Sequence, residues 1–311
     1  MKLSFFLFLT FLNIHFLIFS QVEKPNFKPY NPETTFRKLS KNYPQIAYPT
    51  LELSKGVFLK KNIVYPSNSP TNKILDLYIN TTKKSPLIIL IHGGGWIAGS
   101  KSNLEDMAIA LSNRGYSVAT LSYTLSIEQK YPQSVLDIKQ ALVLLKKNEA
   151  KWNYDTKKIA ILGCSAGAQL ATLVGVTPNH PEFKIQDKVS ESVQAIINVD
   201  GIVSFVHPEA SKEGKYASFW LGGDVKNAET QWKQASALEY VNKTTPPTLF
   251  LNSSIDRFHA GRDDMINHLK KWGIPYEVFS FKKAPHSFWF FEPWFSPMID
   301  KIDDFLKRVL L

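Results

Sequence analysis

Residues 158–174 read KIAILGCSAGAQLATLV, an apolar run that reaches a serine between two glycines and then continues as a second apolar run. The first run predicts a buried strand at 158–162, and the second predicts a helix at 167–174. Glycines on both sides of the serine leave room for a sharp turn. The pattern Gly-x-Ser-x-Gly between a strand and a helix therefore indicates that Ser165 is an exposed nucleophile. Cys164, the rival nucleophile one position earlier, is predicted to be a small buried apolar residue.

The chain on both sides of this turn alternates between predicted strands and helices. The strands lie at 57–64, 73–79, 87–91, 117–121, 158–162, 193–199, 248–251 and 276–280, and the helices lie at 104–111, 135–145, 167–174, 260–272 and 297–310. The first two strands are predicted to form an edge hairpin. The alternation predicts an α/β domain at 57–311, with a mostly parallel sheet covered by helices on both faces. Residues 201–240 interrupt it and are predicted to form a short cap insertion over the carboxyl ends of the strands.

The first 56 residues are predicted to stand apart from this domain. Lys2 and an apolar run as far as Phe19 are followed by the polar Ser20-Gln21. This layout predicts a signal peptide at 1–20, and hence a secreted or periplasmic protein with no stable membrane insertion after cleavage. An uncleaved membrane anchor is the alternative. Residues 21–56 carry five prolines and no helical or strand period, which predicts an irregular N-terminal arm.

Composition narrows the class of protein further. The 311 residues are 44% hydrophobic and 21% charged, which excludes a disordered chain. The single Cys excludes a disulfide framework and a thiolate metal cluster, and the H-E-x-x-H motif is absent, so we expect neither a metal nor a cofactor. The net charge of +10 comes from scattered lysines rather than from a run, which predicts a solvated surface and no nucleic-acid partner.

A second glycine motif, HGGGW at 92–96, follows the predicted strand at 87–91. Consecutive glycines let backbone N–H groups turn toward a developing negative charge, because no side chains obstruct them. We predict that Gly94 and Gly95 donate to such an oxyanion together with the N–H of Ala166. A phosphate-binding loop is the alternative, but neither Gly-x-Gly-x-x-Gly nor a following Lys-Ser/Thr is present.

A nucleophilic serine needs a base and a carboxylate that orients the base. His286 lies after the last predicted strand and is predicted to be the base. Asp256, just past the strand at 248–251, is predicted to be the acid because a loop carboxylate can reach inward. Asp263 is the alternative, although a carboxylate near a helix start also has an ordinary role in stabilising the helix.

Aromatic residues crowd the sequence around His286. Trp289 is predicted to face a substrate pocket, and Trp96, beside the glycine motif, is a second candidate for substrate contact. Trp220, within the predicted cap, is a third. The competing role for each of them is packing in the core.

Six stretches together carry a resemblance to a known family. They are LDLY at 75–78, HGGGW at 92–96, YPQSVLD at 131–137, GCSAG at 163–167, LGG at 221–223 and PH at 285–286. The chain resembles, from about residue 75 to 310, the α/β-hydrolase superfamily, in particular the hormone-sensitive-lipase-like esterases and their secreted bacterial relatives that act on acylated plant polysaccharides. It departs from the family at Ala168, usually a second glycine, at Thr124, usually an arginine, and at 252–256, where the family's acid follows a Gly-x-x-Asp pattern.

This resemblance implies a serine carboxylic-ester hydrolase that removes acetyl or feruloyl groups from a polysaccharide such as pectin or xylan, or from its oligosaccharides. The implied partner is thus an acylated carbohydrate or another small ester. Three alternatives stay open: a general short-chain carboxylesterase or lipase, a serine peptidase of the prolyl-oligopeptidase type, and a binding protein without catalysis.

Overall fold

The computed structural model describes residues 23–185, 188–210 and 214–311, and the predicted signal peptide lies outside these ranges. The strands are β1 (Val57–Tyr65), β2 (Lys73–Asn80), β3 (Ser85–Ile91), β4 (Ser117–Leu121), β5 (Tyr154–Cys164), β6 (Ala195–Val199), β7 (Thr248–Asn252) and β8 (Tyr276–Ser280). The helices are α1 (Pro32–Leu39), α2 (Glu105–Asn113), α3 (Gln133–Lys147), α4 (Glu149–Trp152), α5 (Ala166–Val176), α6 (Lys215–Leu221), α7 (Glu229–Gln234), α8 (Arg262–Lys271) and α9 (Phe295–Leu310). Across these ranges, no helix combines the length and the apolar character that a membrane span requires.

The strands form one sheet in the order β1-β2-β4-β3-β5-β6-β7-β8. β1 pairs with β2 and β2 pairs with β4 in antiparallel register, whereas all the remaining neighbours are parallel. The predicted edge hairpin and the mostly parallel sheet are both confirmed. Because parallel strands all end at the same edge, the loops after β3, β5, β6, β7 and β8 meet there.

Two apolar layers cover the sheet, one on each face. The side chains of β3 show the division, since Ile89 and Ile91 belong to one cluster of buried residues and Ile88 and Leu90 belong to the other. The first layer includes residues of α3, α5 and α8, and the second includes residues of α2 and α9. Every residue of β3 is buried, which explains why its sequence is a continuous apolar run rather than an alternating one.

The N-terminal arm was predicted to be irregular, but it contains the helix α1. The side chain of Asn31 accepts a hydrogen bond from the backbone N–H of Thr34 at 2.8 Å, and the Thr34 hydroxyl accepts one from the N–H of Asn31. Pro32 occupies the first turn, where its missing N–H costs nothing. The signal for this helix was its N-terminal cap. Apolar periodicity does not indicate this helix, because α1 is short and mostly polar.

Candidate active site

Ser165 lies on the sharp turn that joins β5 to α5. Its backbone angles are φ 55° and ψ −123°, a conformation that non-glycine residues rarely adopt. The turn is tight enough that a Cβ on Gly163 would lie 1.9 Å from the carbonyl oxygen of Gly167. A Cβ on Gly167 would in turn lie 2.1 Å from the carbonyl oxygen of Ile91. Both glycines of the motif are therefore required by close backbone approach, and together they support the strained serine.

Cys164, the rival nucleophile, is buried and points away from solvent. Burial raises the pKa of its thiol well above the usual range, and the negative charge of Asp200 adds to this effect. A thiol that stays protonated is a poor nucleophile. The structure thus agrees with the prediction that Cys164 is a core residue.

Ser165 and His286 lie at hydrogen-bond distance, as the sequence predicted. The Oγ of Ser165 is 2.8 Å from Nε2 of His286, although the two residues are 121 positions apart. The other ring nitrogen of His286, Nδ1, lies 2.6 Å from Oδ2 of Asp200. Hydroxyl, imidazole and carboxylate form one hydrogen-bonded line, which we call the Ser165–His286–Asp200 line. This order of groups lets an imidazole take a proton from a hydroxyl while a carboxylate fixes its tautomer.

Asp256, predicted as the acid, does not reach His286. Its side chain is fully exposed, and its Oδ1 lies 4.0 Å from Nδ1 of another histidine, His259. Asp263, the alternative, is also exposed and pairs with Arg262. The carboxylate beside His286 belongs to Asp200, which follows β6 instead of β7. The sequence around Asp200 also indicated a loop carboxylate at a strand end, because Asp200 comes directly after the continuous buried run of β6 and directly before a glycine.

Asp200 is fully buried and held on both of its carboxylate oxygens. Its Oδ1 accepts a hydrogen bond from the backbone N–H of Ser253 at 2.9 Å. Burial by itself would raise the pKa of Asp200. Hydrogen bonds from two histidines and from Ser253 outweigh burial and hold the pKa of Asp200 well below its usual range. Asp200 is therefore a carboxylate at neutral pH and can stabilise a positive charge on His286.

The glycine motif lies beside Ser165. A Cβ on Gly93 would lie 3.1 Å from the Cβ of Ser165. Gly94 has a φ of +124°, a value that favours glycine. In the part of the chain that the structure describes, the N–H groups of Gly94, Gly95 and Ala166 donate to no protein acceptor. These are the three predicted oxyanion donors: Ala166 directly follows Ser165, and Gly94 and Gly95 directly follow Gly93, the residue of the loop that lies beside Ser165.

His92, the first residue of the glycine motif, is a buried neutral residue. Burial lowers the pKa of His92 to about 4. Its ring stacks on Tyr123, with centroids 4.3 Å apart, and its Nδ1 lies 2.8 Å from the carbonyl oxygen of Gly93. His92 therefore packs against the glycine loop through its own hydrogen bond to Gly93, and it carries no charge at neutral pH.

The tryptophans predicted to contact a substrate are buried instead. Trp96 is 4% exposed, stacks on Trp220 with the ring planes 5° apart, and donates its indole N–H to Gln169 at 3.0 Å. Trp289 is 1% exposed and meets the ring of His286 at 90°. None of these indoles presents a free face, so the prediction of substrate contact is wrong for all three. Their role is packing, which the sequence pattern alone did not separate from binding.

Two tyrosines that the sequence did not single out lie over the glycine motif. Tyr216, in α6 of the predicted cap segment, is 42% exposed, and its ring lies 3.4 Å from where a Cβ on Gly95 would be. Tyr30, in the N-terminal arm, lies 3.2 Å from where a Cβ on Gly94 would be. Its hydroxyl is 3.1 Å from that of Ser287, the neighbour of His286. Tyr30 of the arm and Tyr216 of α6 therefore both form walls of the site.

Comparison with known proteins identifies the sequence family of this chain. The sequence model of the BD-FAE family matches residues 75–262, more than half of the chain. Among curated proteins, the chain is similar to the esterase LipC of Mycobacterium tuberculosis, with 26% identity over 56% of this chain and 45% of that protein. The chain spans about half the length of the first curated relatives that it matches.

Solved structures share the fold. The acetyl ester-xyloside bifunctional hydrolase of Caldicellulosiruptor lactoaceticus is 27% identical, with a TM-score of 0.65 over 77% of this chain and 89% of that chain. The hyperthermophilic esterase of Pyrobaculum calidifontis is 19% identical, with a TM-score of 0.69 over 90% of this chain and 92% of that chain. The fold of this chain is thus one that solved esterase structures also have.

Proposed function

Because this chain belongs to the BD-FAE family and has the α/β-hydrolase fold, we propose that it is a serine hydrolase of carboxylic esters. The observation that carries the proposal is the Ser165–His286–Asp200 line, with distances of 2.8 Å and 2.6 Å. The proposed donors of an oxyanion hole lie on the turn that carries Ser165 and on the glycine loop beside it. A hydroxyl, a base, an orienting acid and unpaired N–H groups are together what acyl transfer requires.

The proposed reaction begins when Nε2 of His286 takes the proton of Ser165 and Oγ attacks the ester carbonyl carbon. The carbonyl oxygen becomes an oxyanion and accepts hydrogen bonds from the N–H groups of Gly94, Gly95 and Ala166. Asp200 stabilises the imidazolium through Nδ1. The C–O bond to the alcohol then breaks, the alcohol leaves with the proton from His286, and an acyl-enzyme remains.

The second half of the reaction repeats the first with water as the nucleophile. His286 takes a proton from water, and the resulting hydroxide attacks the acyl carbon of the ester to Ser165. The tetrahedral intermediate uses the same three N–H groups. Its collapse releases the carboxylic acid and returns the proton from His286 to Oγ, which restores the free enzyme.

The proposed substrate is an acylated plant polysaccharide such as xylan or pectin, or an oligosaccharide of it, with acetyl as the first acyl group to test and feruloyl as the second. The similarity to a protein described as an acetyl ester-xyloside hydrolase supports an acetylated sugar. The exposed ring of Tyr216 beside Gly95 supports an extended alcohol partner, because an aromatic face can stack on a sugar ring. Action on such a substrate agrees with the proposal that residues 1–20 direct secretion and that residues 201–240 serve as a cap.

The test is hydrolysis of p-nitrophenyl acetate and of methyl ferulate by the mature protein, with Ser165→Ala in parallel. We expect wild type to turn over at least one ester and Ser165→Ala to lose this turnover. Cys164→Ala is the matched control, since it changes the adjacent residue and should keep the activity. The ratio of the two rates gives the acyl preference. Equal rates in wild type and Ser165→Ala would contradict the proposal.

A further inference from the structure

A second histidine contacts the carboxylate of Asp200. Nε2 of His259 lies 3.3 Å from Oδ1 of Asp200, whereas His286 uses the other oxygen, Oδ2. The side chain of His259 is only 10% exposed. A carboxylate only accepts hydrogen bonds, so Nε2 of His259 carries the proton in this contact. The reaction proposed above assigns no role to His259.

His259 belongs to a short 3-10 turn, Asp256–His259, that also contacts the base directly. The ring of Phe258 stacks on the ring of His286, with centroids 3.6 Å apart and planes 12° from parallel. Trp289 meets the same imidazole at right angles, with centroids 5.0 Å apart. One turn therefore supports the Ser165–His286–Asp200 line at two points, the face of the imidazole and the oxygen of Asp200 that His286 does not use.

The carboxylates around His259 come from three parts of the chain. Asp200, which follows β6, faces Nε2 of His259. Asp256, in the same turn as His259, lies 4.0 Å from its Nδ1, which is beyond hydrogen-bond distance. Asp263, in α8, is close enough to interact electrostatically with His259. Of these three groups, Asp200 is the one that is buried. The contact that fixes the orientation of His259 in the site is therefore the one with Asp200.

We propose that His259 is a positioning residue for ester hydrolysis. It holds Oδ1 of Asp200 together with the backbone N–H of Ser253, which stops the carboxylate from rotating and keeps Oδ2 toward Nδ1 of His286. Small misplacements of catalytic groups cost large factors in rate. The inference rests on the proposed esterase function, and it assigns to His259 an effect on the rate of the chemical step.

The experiment compares His259→Ala and His259→Gln with wild type and with His268→Ala, a control at an exposed histidine of α8. Active sites are counted with a fluorophosphonate probe, so that misfolded protein does not enter kcat. We expect His259→Ala to lower kcat by about tenfold with little change in KM. Gln can donate from a similar position, so His259→Gln should recover most of kcat. His268→Ala should match wild type.

The pH profile separates positioning from a structural role. Without the hydrogen bond from His259, the negative charge of Asp200 acts more strongly on His286 and favours its protonated form. The acid limb of kcat/KM should therefore move to higher pH. A variant that is only less stable would unfold at lower temperature but keep kcat per active site and the acid limb. Unchanged kcat and an unchanged acid limb in His259→Ala would overturn the proposal.

A readout that does not need ester turnover separates this inference from the proposed function. The proton between Nδ1 of His286 and Asp200 should give a far-downfield NMR resonance, and the His286→Gln spectrum assigns it. We expect this resonance to shift or broaden in His259→Ala and to stay in place in His268→Ala. Wild type that shows the resonance but hydrolyses no ester would contradict the function alone. A resonance that does not change in His259→Ala would contradict the role of His259.

Discussion

Oδ2 of Asp200 lies 2.6 Å from Nδ1 of His286, across 86 positions of sequence and between the loops after β6 and β8. The loop between them in the sheet, after β7, carries Asp256 with its side chain turned out to solvent. Two carboxylates thus end neighbouring strands, and only one is buried against the imidazole. Because their surroundings differ, we expect substitution of Asp200 to lower the activity and substitution of Asp256 to leave it unchanged.

Asp200→Asn should lower kcat for p-nitrophenyl acetate by about four orders of magnitude, because an amide cannot hold the imidazole tautomer or stabilise its charge. Asp256→Asn should leave kcat unchanged, since it alters an exposed side chain outside the Ser165–His286–Asp200 line. Steady-state kinetics of both variants at neutral pH provide the comparison. A large loss in Asp256→Asn with little loss in Asp200→Asn would show that the loop after β7 supplies the acid.

The pKa of Asp200 also predicts how stability depends on pH. Its folded-state pKa is lowered, so its ionised form stabilises the fold above the ordinary Asp pKa of about 4, and this contribution is lost as the pH falls below that value. Urea unfolding of wild type and Asp200→Asn at pH 5 and pH 3 measures the effect. The difference in the free energy of unfolding should favour wild type more at pH 5. An equal difference at both pH values would contradict a lowered pKa.

Gly163 and Gly167, the glycines on the two sides of Ser165, should tolerate no added methyl group. Gly163→Ala would place a Cβ 1.9 Å from a backbone oxygen, which only a backbone shift can relieve. We expect loss of soluble protein or a fall in the thermal midpoint of at least about 5 °C. Gly214→Ala is the matched control, because among the described residues no atom beyond its chain neighbours lies within 4 Å of the added Cβ. Thermal unfolding of both variants checks this, and a Gly163→Ala protein as stable as Gly214→Ala would contradict the tight turn.

Tyr216 should contribute to binding of the alcohol portion of the substrate. Tyr216→Ala should raise KM for an acetylated xylo-oligosaccharide by about three- to tenfold, the worth of one aromatic contact, with kcat nearly unchanged. Tyr48→Ala is the control, since Tyr48 is equally exposed, at 43%, but stacks on Phe36 in the N-terminal arm. Equal KM values for wild type and Tyr216→Ala would place the sugar elsewhere.

Sequence patterns predicted the parts of this molecule that depend on local chemistry. The continuous apolar runs located the buried strands, and the two glycine motifs located Ser165 and Gly94. The acid was missed because Asp200 and Asp256 both follow a buried strand. Which of the two turns inward depends on packing, namely the donors from Ser253 and His259 that Asp200 meets inside the protein. Trp289 was misjudged for a related reason, since an indole looks the same in sequence whether a substrate or the core covers it.

The contact between Tyr30 and Ser287 joins positions 257 apart, with 3.1 Å between their hydroxyl oxygens. Translation adds Tyr30 long before it adds Ser287. A nascent chain therefore contains Ser165 before His286 has been added, and Tyr30 lacks the hydroxyl of Ser287 until the next residue follows. The pairing of hydroxyl and imidazole, and the wall that Tyr30 forms beside it, can be completed only in chains whose translation has passed residue 287.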